Sequence, residues 1–211
     1  VFYTTGDHAE GYRAYLTDLV TRIDNLTNEV LNHWETGFRN EFVSNSGNGA
    51  NASVDLMVND YIFYYEKALR AGKVGIPAGV FTGTPSGSHV EAVYRKNLSK
   101  ELLLEALDAT QRFFNGYHFS STTTGESLAS YLDYLNTMKQ GSDLSTLINT
   151  QFESARSEIQ ALDNNFTMQI ETDNPSMLSA YDELQRNVIN LKVDMLQALD
   201  ITVDYIDADG D

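Results

Sequence analysis

The sequence predicts an all-α protein, an antiparallel bundle of four long helices and two shorter ones. Three observations favour this fold. Apolar residues recur at steps of three and four in six stretches, and loops of small polar residues separate most of these stretches. A third observation is that no stretch of useful length alternates apolar and polar side chains as a strand would. We therefore expect a single helical-bundle domain over residues 1–211.

The first two predicted helices cover about residues 9–42 and 53–71, and a polar loop separates them. Trp34, the only tryptophan, lies on the apolar stripe of the first helix. If Trp34 is buried, its truncation to alanine would cost about 3 to 5 kcal/mol. Ser53 is the predicted N-cap of the second helix, and Gly72 its predicted C-terminal stop.

The stretch 72–95 contains five of the fourteen glycines and two of the three prolines, so helix propagation is expected to fail along it. We predict a long Gly/Pro connector here. A connection of this length inside a compact domain is more often functional or packed than idle.

Four further helices are predicted at about 98–116, 127–138, 144–162 and 175–199. Ser99 or Asn97 can cap the first of them, and Pro175 suits the first position of the last, after a cap at Asp173 or Asn174. Residues 163–174 either continue the preceding helix or form an irregular turn.

The composition limits the classes of function. A net charge of −16 repels nucleic acid and anionic membranes and attracts cations or basic partners, although a solvated acidic surface is the alternative interpretation. The absence of cysteine excludes disulfides, thiolate metal sites and a cysteine nucleophile. No apolar run is long enough to cross a bilayer. The first residues show no signal-peptide pattern and no initiating methionine, so we expect a mature or cleaved piece.

Two segments carry a resemblance to a known family. KVGIPAG at 73–79, followed by VEAVYRKNLSKELLLEALDATQRFFNG at 90–116, resembles the imelysin-like family, also called the insulin-cleaving peptidase family. GESLASYLDYL at 125–135 and the helix pair from Leu144 to Leu199 fit the rest of that family's C-terminal portion. The resemblance implies helical bundles, export to the periplasm or bacterial cell surface, often as a lipoprotein, and an association with iron uptake.

The family's marker is a GxHxxE motif, proposed to bind metal, in the N-terminal bundle. This chain has only the shorter GxHxE strings at 6–10 and 87–91, so we do not carry the metal motif onto them. The resemblance implies that the chain is the C-terminal half of a two-bundle protein. Its expected partner is then an N-terminal imelysin bundle, in the same protein or on another chain.

The candidate metal ligands are few. None of the four histidines pairs with another at helical spacing and no HExxH occurs, so a peptidase centre formed by this chain alone is not predicted. His89 and Glu91 are candidates for a metal or other ligand site that also uses a carboxylate from a helix, because residues two apart in an extended segment point to one side. The candidate metals for this chain are iron, zinc and calcium. A surface pair without a ligand is the alternative.

The acidic C-terminal tail is a second candidate metal site. Asp207, Asp209 and Asp211 offer the clustered oxygen ligands that calcium prefers. A frayed acidic terminus is the alternative.

Three functions remain open from the sequence. The first is a non-enzymatic, exported imelysin-like protein that binds iron or haem or acts as a scaffold in their uptake. The second is a metallopeptidase whose metal centre is completed outside this chain. The third is a structural interaction bundle at the cell surface.

Overall fold

A computed structural model describes residues 3–47 and 49–205. The chain divides into two compact units, Val1–Gly47 and Asn48–Asp211. The described residues are mostly helical, which confirms the all-α prediction. The prediction of one domain over residues 1–211 stays a prediction.

The first unit contains one long helix, α1. It runs as Ala9–His33, continues through the π-helical turn Trp34–Phe38, and finishes as Arg39–Ser44. The helix forms where the sequence predicts it, because its apolar residues keep three-to-four spacing and Gly47, with a positive φ of 136°, follows its end.

The second unit opens with α2, which is longer than predicted. It runs as Ser53–Phe63, the π-helical segment Tyr64–Gly75, and Ile76–Ala78. The prediction that Gly72 ends this helix is wrong. Gly75 is required inside the helix because an added Cβ would lie 2.8 Å from the rings of Phe81 and Tyr181. Pro77 lies in the last helical segment of α2, Ile76–Ala78, two residues before the helix ends at Gly79.

The end of α2 is set by Gly79 rather than by Gly72. Gly79 has a φ of +79°, and its N–H donates to the carbonyl of Ile76 at 3.1 Å. The N–H of Val80 donates to the carbonyl of Gly75 at 2.9 Å, which completes a Schellman motif. The non-helical connector therefore begins at Gly79 and contains the short 3₁₀ turns Gly87–His89 and Lys96–Leu98.

Three helices and a hairpin follow the connector in the second unit. Helix α3 is Ser99–Phe114, α4 is Leu128–Tyr134 and α5 is Leu144–Ala161. A small antiparallel hairpin, β1 at Met138–Lys139 and β2 at Ser142–Asp143, joins α4 to α5, and the sequence did not predict it. Ser99 is not a cap, since its hydroxyl donates to the carbonyl of Glu91 at 2.9 Å.

The segment 163–174, left open by the sequence, starts helix α6. Helix α6 runs as Phe166–Val188, the π-helical segment Ile189–Met195, and Leu196–Leu199. It is kinked at Asp173, which has a φ of −153° and accepts a hydrogen bond from the N–H of Ser176 at 3.3 Å. Asp173 therefore caps the following part of α6, as predicted, but Pro175 is the second residue of that part rather than its first.

Helices α2, α3, α5 and α6 share one hydrophobic core. Phe152 lies fully buried at its centre, with its ring 5.7 Å from that of Tyr65 and 6.3 Å from that of Phe114. The other fully buried side chains of this core include Leu69, Leu103, Leu107, Ile148, Ile159 and Leu184. The core fixes α2 and α6 side by side, which places the polar residues described next.

Candidate functional site: an apolar helix face and a buried charge cluster

The first unit presents an exposed apolar stripe along α1, which we call the apolar face. Its members are Leu16, Leu19, Ile23, Leu26, Val30 and Trp34, and each is between 40% and 68% exposed. Within residues 3–47, α1 is the only helix, so this unit has no second helix on which the stripe could be buried. Monomeric soluble proteins rarely expose a contiguous apolar surface of this kind, and where one is exposed it commonly marks an interaction site.

An aromatic cluster extends the apolar face toward the end of α1. The ring of Trp34 lies 5.4 Å from that of Phe38 and 5.5 Å from that of Phe42, and the two phenylalanine rings are 6.2 Å apart. The π-helical turn Trp34–Phe38 brings these rings, spaced four residues apart, onto one side. The spacing of the whole face suits side-by-side packing against another helix.

The second unit contains a buried charge cluster between its two π-helical segments. Glu66 on α2 is fully buried, and its carboxylate accepts hydrogen bonds from Lys192 on α6 at 3.1 Å and from the hydroxyl of Tyr205 at 2.9 Å. Arg70, one turn along α2 and also fully buried, lies 3.5 Å from the same carboxylate. The carboxylate thus holds α2, α6 and the segment after α6 together.

The guanidinium of Arg70 is bonded on its other side to α6. It donates to the hydroxyl of Tyr181 at 2.7 Å and to the side-chain oxygen of Gln185. It also lies over the Tyr181 ring, 5.2 Å from the ring centre. Loss of the charge of one partner in a buried ion pair such as Glu66 and Arg70 is strongly destabilising, so the members of the cluster depend on one another.

Two neighbouring contacts extend this polar core. The hydroxyl of the buried Tyr65 donates to the carbonyl of Leu184 at 3.0 Å, and burial raises the pKa of Tyr65 above its usual value. The buried amide of Asn59 donates to the carbonyl of Thr202 at 3.0 Å and accepts from the N–H of Asp204 at 3.2 Å. Asn59 therefore holds the segment 201–205 against α2.

Of the predicted metal ligands, the structure describes His89 and Glu91, and each contacts a different residue. His89 lies in a 3₁₀ turn rather than the expected extended segment, and its Nδ1 is 2.7 Å from the hydroxyl of Ser86. The carboxylate of Glu91 pairs with Lys73. Among the residues that the structure describes, no three histidine or carboxylate side chains are grouped so that they could hold a metal ion.

The tail residues Asp207, Asp209 and Asp211 lie outside the described residues. Metal binding by them, or by His89 and Glu91, stays a prediction.

The sequence analysis missed Glu66, Arg70 and Lys192. A signal was present, since Glu66 and Arg70 stand four residues apart on a predicted helix among apolar and aromatic neighbours. Lys192 and Tyr205 are more than 120 residues away in the chain, as shown by separations of 126 and 139 residues from Glu66. Periodicity along one helix does not reveal such a long-range contact.

Together these features define a class of protein: an all-α bundle with a charged core and an exposed apolar helix. The family model described as Imelysin matches residues 3–191, which is most of the chain, and the protein belongs to the imelysin family. Neither the search of curated proteins nor that of solved structures found a match. Over residues 3–47 and 49–205, none of the helices has the length and apolar character needed to span a bilayer.

Proposed function

We propose that this chain is a non-enzymatic scaffold or binding component of an exported imelysin-family protein that takes part in iron or haem uptake. Its apolar face would dock on a companion helical bundle, the N-terminal imelysin bundle of the same protein or of another chain. The single observation that supports the docking is the exposure of the apolar face on α1. The link with iron or haem and with export rests on membership of the family.

The chemistry of the apolar face favours another helix as its partner. Burying a leucine or isoleucine fully contributes about 1.5 to 3 kcal/mol, so covering half-exposed side chains such as Leu19, Ile23 and Leu26 contributes about 1 kcal/mol each. Their steps of four and three residues match the seam of packed helices. A helical bundle with a complementary stripe would bury the whole face at once.

A membrane surface is the less suitable occupant. Over residues 9–44 the helix carries six acidic residues and three arginines. Helices that lie on anionic membranes have polar faces rich in lysine and arginine. The acidic balance of α1, within a chain of net charge −16, would repel such a surface.

The docking is tested by binding to a purified N-terminal bundle from an imelysin-family protein. We expect the triple variant Leu19→Gln, Ile23→Gln, Leu26→Gln to weaken binding at least tenfold in calorimetry, because it removes the apolar contact. A matched control, Thr21→Gln with Asn28→Gln, changes the opposite side of α1 and should bind as the unaltered chain does. Equal binding by all three chains, or no binding by the unaltered chain, would refute the docking.

The ligand part of the proposal has its own test. Ferric citrate and haemin are added separately to the complex of this chain with the N-terminal bundle, and the melting temperature of the complex is measured. A ligand that binds only the folded state raises that temperature as its concentration rises. If neither raises it, the protein acts as an interaction bundle and the ligand-binding part is discarded.

A further inference from the structure

Residues 116–125, which we call the aromatic loop, follow α3 and are held in one conformation by backbone hydrogen bonds. The N–H of Gly125 donates to the carbonyl of Gly116 at 2.8 Å, and that of His118 to the carbonyl of Thr123 at 2.9 Å. Tyr117 and Thr124 pair as an antiparallel bridge. Gly116 has no room for a side chain, since a Cβ would lie 2.8 Å from the Gly125 carbonyl oxygen.

Arg112, on α3, holds the aromatic loop through two hydrogen bonds and a contact with a ring. Its guanidinium donates to the carbonyl of Ser121 at 2.6 Å and to that of His118 at 3.2 Å. It also lies over the ring of Tyr117, 4.6 Å from the ring centre. The guanidinium of Arg112 is thus occupied by contacts within the loop. The loop is therefore already ordered in the absence of a partner, which lowers the entropic cost of binding one.

At its tip the loop carries an aromatic side chain, Phe119, that is almost fully exposed to solvent. Phe119 is 98% exposed at the tip, and the next residue, Ser120, has a positive φ of 49°. Beside the loop, Phe113 and Tyr117 are 50% and 40% exposed. A rigid loop that holds a bare aromatic ring in water resembles the anchor residues of recognition surfaces.

An open cleft of about 660 Å³ lies between the aromatic loop and α3. Phe113, Tyr117 and Phe119 line it together with the carboxylates of Glu105 and Asp108. Asp108 also lies 3.6 Å from the guanidinium of Arg156, which is outside the cleft lining, and its side chain stays 49% exposed. Arg112 is the one arginine or lysine among its lining residues, and it is committed to the loop as described. Ring faces and carboxylates both attract cations, and the net charge of −16 adds to that attraction.

We propose that this cleft is a docking site for a segment of a partner protein that carries a lysine or arginine beside an apolar residue. The basic group would lie between the aromatic rings and the carboxylates of Glu105 and Asp108. The apolar residue would cover the exposed ring of Phe119. The cleft and the apolar face of α1 belong to different units, so this site does not depend on the function proposed above.

The test uses three fluorescein-labelled peptides of equal length: GSLKGSLRGSLK, in which leucine adjoins each basic residue; GSLEGSLEGSLE, which replaces the basic residues by glutamate; and GSSKGSSRGSSK, which lacks leucine. Fluorescence anisotropy at 50 mM and 300 mM NaCl measures their binding to the full chain. We expect the first peptide to bind at least tenfold more tightly than the second and at least threefold more tightly than the third. Its binding should weaken at the higher salt concentration.

Substitutions of residues that line the cleft test whether the peptide binds there. Phe119→Ala should weaken binding of the first peptide at least fivefold, as should Glu105→Gln combined with Asp108→Asn. Tyr94→Ala is the matched control, since Tyr94 is 96% exposed and does not line the cleft. Circular dichroism confirms that each variant is folded. Failure of the first peptide to bind, equal binding of the first and second peptides, or Phe119→Ala binding like the unaltered chain overturns the proposal.

Discussion

The carboxylate of Glu66 and the ammonium of Lys192 are 3.1 Å apart, and each belongs to a π-helical segment of a different helix. Glu66 has no exposed surface, and the side chain of Lys192 is 12% exposed. This pair, with Arg70 and Tyr205, joins α2 to α6 and to the segment that follows α6. The packing of α2 against α6 in the second unit therefore depends on charged residues from both helices.

Replacing Glu66 by glutamine removes the negative charge of this cluster while keeping its volume. We expect the free energy of unfolding to fall by about 3 to 5 kcal/mol, because a neutral amide no longer offsets the buried charges of Arg70 and Lys192 as the Glu66 carboxylate does. Urea denaturation measures the change. Glu91→Gln is the control: Glu91 is 42% exposed in its pair with Lys73, so its loss should cost less than about 1 kcal/mol. Equal effects of the two substitutions would contradict the structural role of Glu66.

A methyl group at Gly75 tests the close packing of α2 against α6. The added Cβ would lie 2.8 Å from Cε2 of both Phe81 and Tyr181, so Gly75→Ala should destabilise the second unit by about 1 to 3 kcal/mol. Thermal unfolding followed by circular dichroism gives the value. Gly11→Ala in α1 meets nothing within 4 Å and should cause no loss of stability. A stabilising Gly75→Ala would show that α2 and α6 are farther apart than described.

Trp34 and Phe152 are both aromatic residues on predicted apolar stripes, yet their truncation should differ. Trp34 is 40% exposed, so Trp34→Ala should change the stability of this chain by less than about 1 kcal/mol. Phe152 is fully buried, and Phe152→Ala should cost about 3 to 5 kcal/mol. Chemical denaturation of both variants compares them. A large cost at Trp34 in the isolated chain would mean that its face is already covered.

Asp173 should titrate below its ordinary pKa of 3.8, because its carboxylate accepts hydrogen bonds from the Ser176 hydroxyl and then from the Ser176 N–H. A carboxyl whose pKa is lowered by folding stabilises the fold above its unfolded pKa, and that contribution is lost as the pH falls through the folded pKa. Carbon-detected NMR titration follows this carboxyl. Ser176→Ala should move its pKa upward; an unchanged value would show that the cap does not act on Asp173.

The sequence predicted most of the helices because three-to-four periodicity is a local property. It placed the end of α2 at Gly72, since glycine and proline ordinarily stop helices, whereas Gly75 is used inside the helix for contact with Tyr181. That contact joins residues 106 positions apart and leaves no trace in either segment alone. The charge cluster was missed for the same reason.

The apolar face shows a different limit of sequence reasoning. The sequence predicted an apolar stripe on the first helix with Trp34 on it, but a stripe indicates only that a surface needs to be covered, not which molecule covers it. Likewise, His89 and Glu91 are close in sequence, but the 3₁₀ turn at His89 and the pairing of Glu91 with Lys73 depend on contacts with Ser86 and α2.

The most direct test of the account follows Trp34, which is the only tryptophan and lies on the apolar face. 5-Fluorotryptophan incorporated into this chain alone gives a single ¹⁹F signal, which is recorded before and after addition of an N-terminal imelysin bundle. Docking of the apolar face predicts a new, broader resonance that is shielded from a soluble paramagnetic quencher. An unchanged shift and unchanged quenching, with the companion in excess, would contradict the proposed interface.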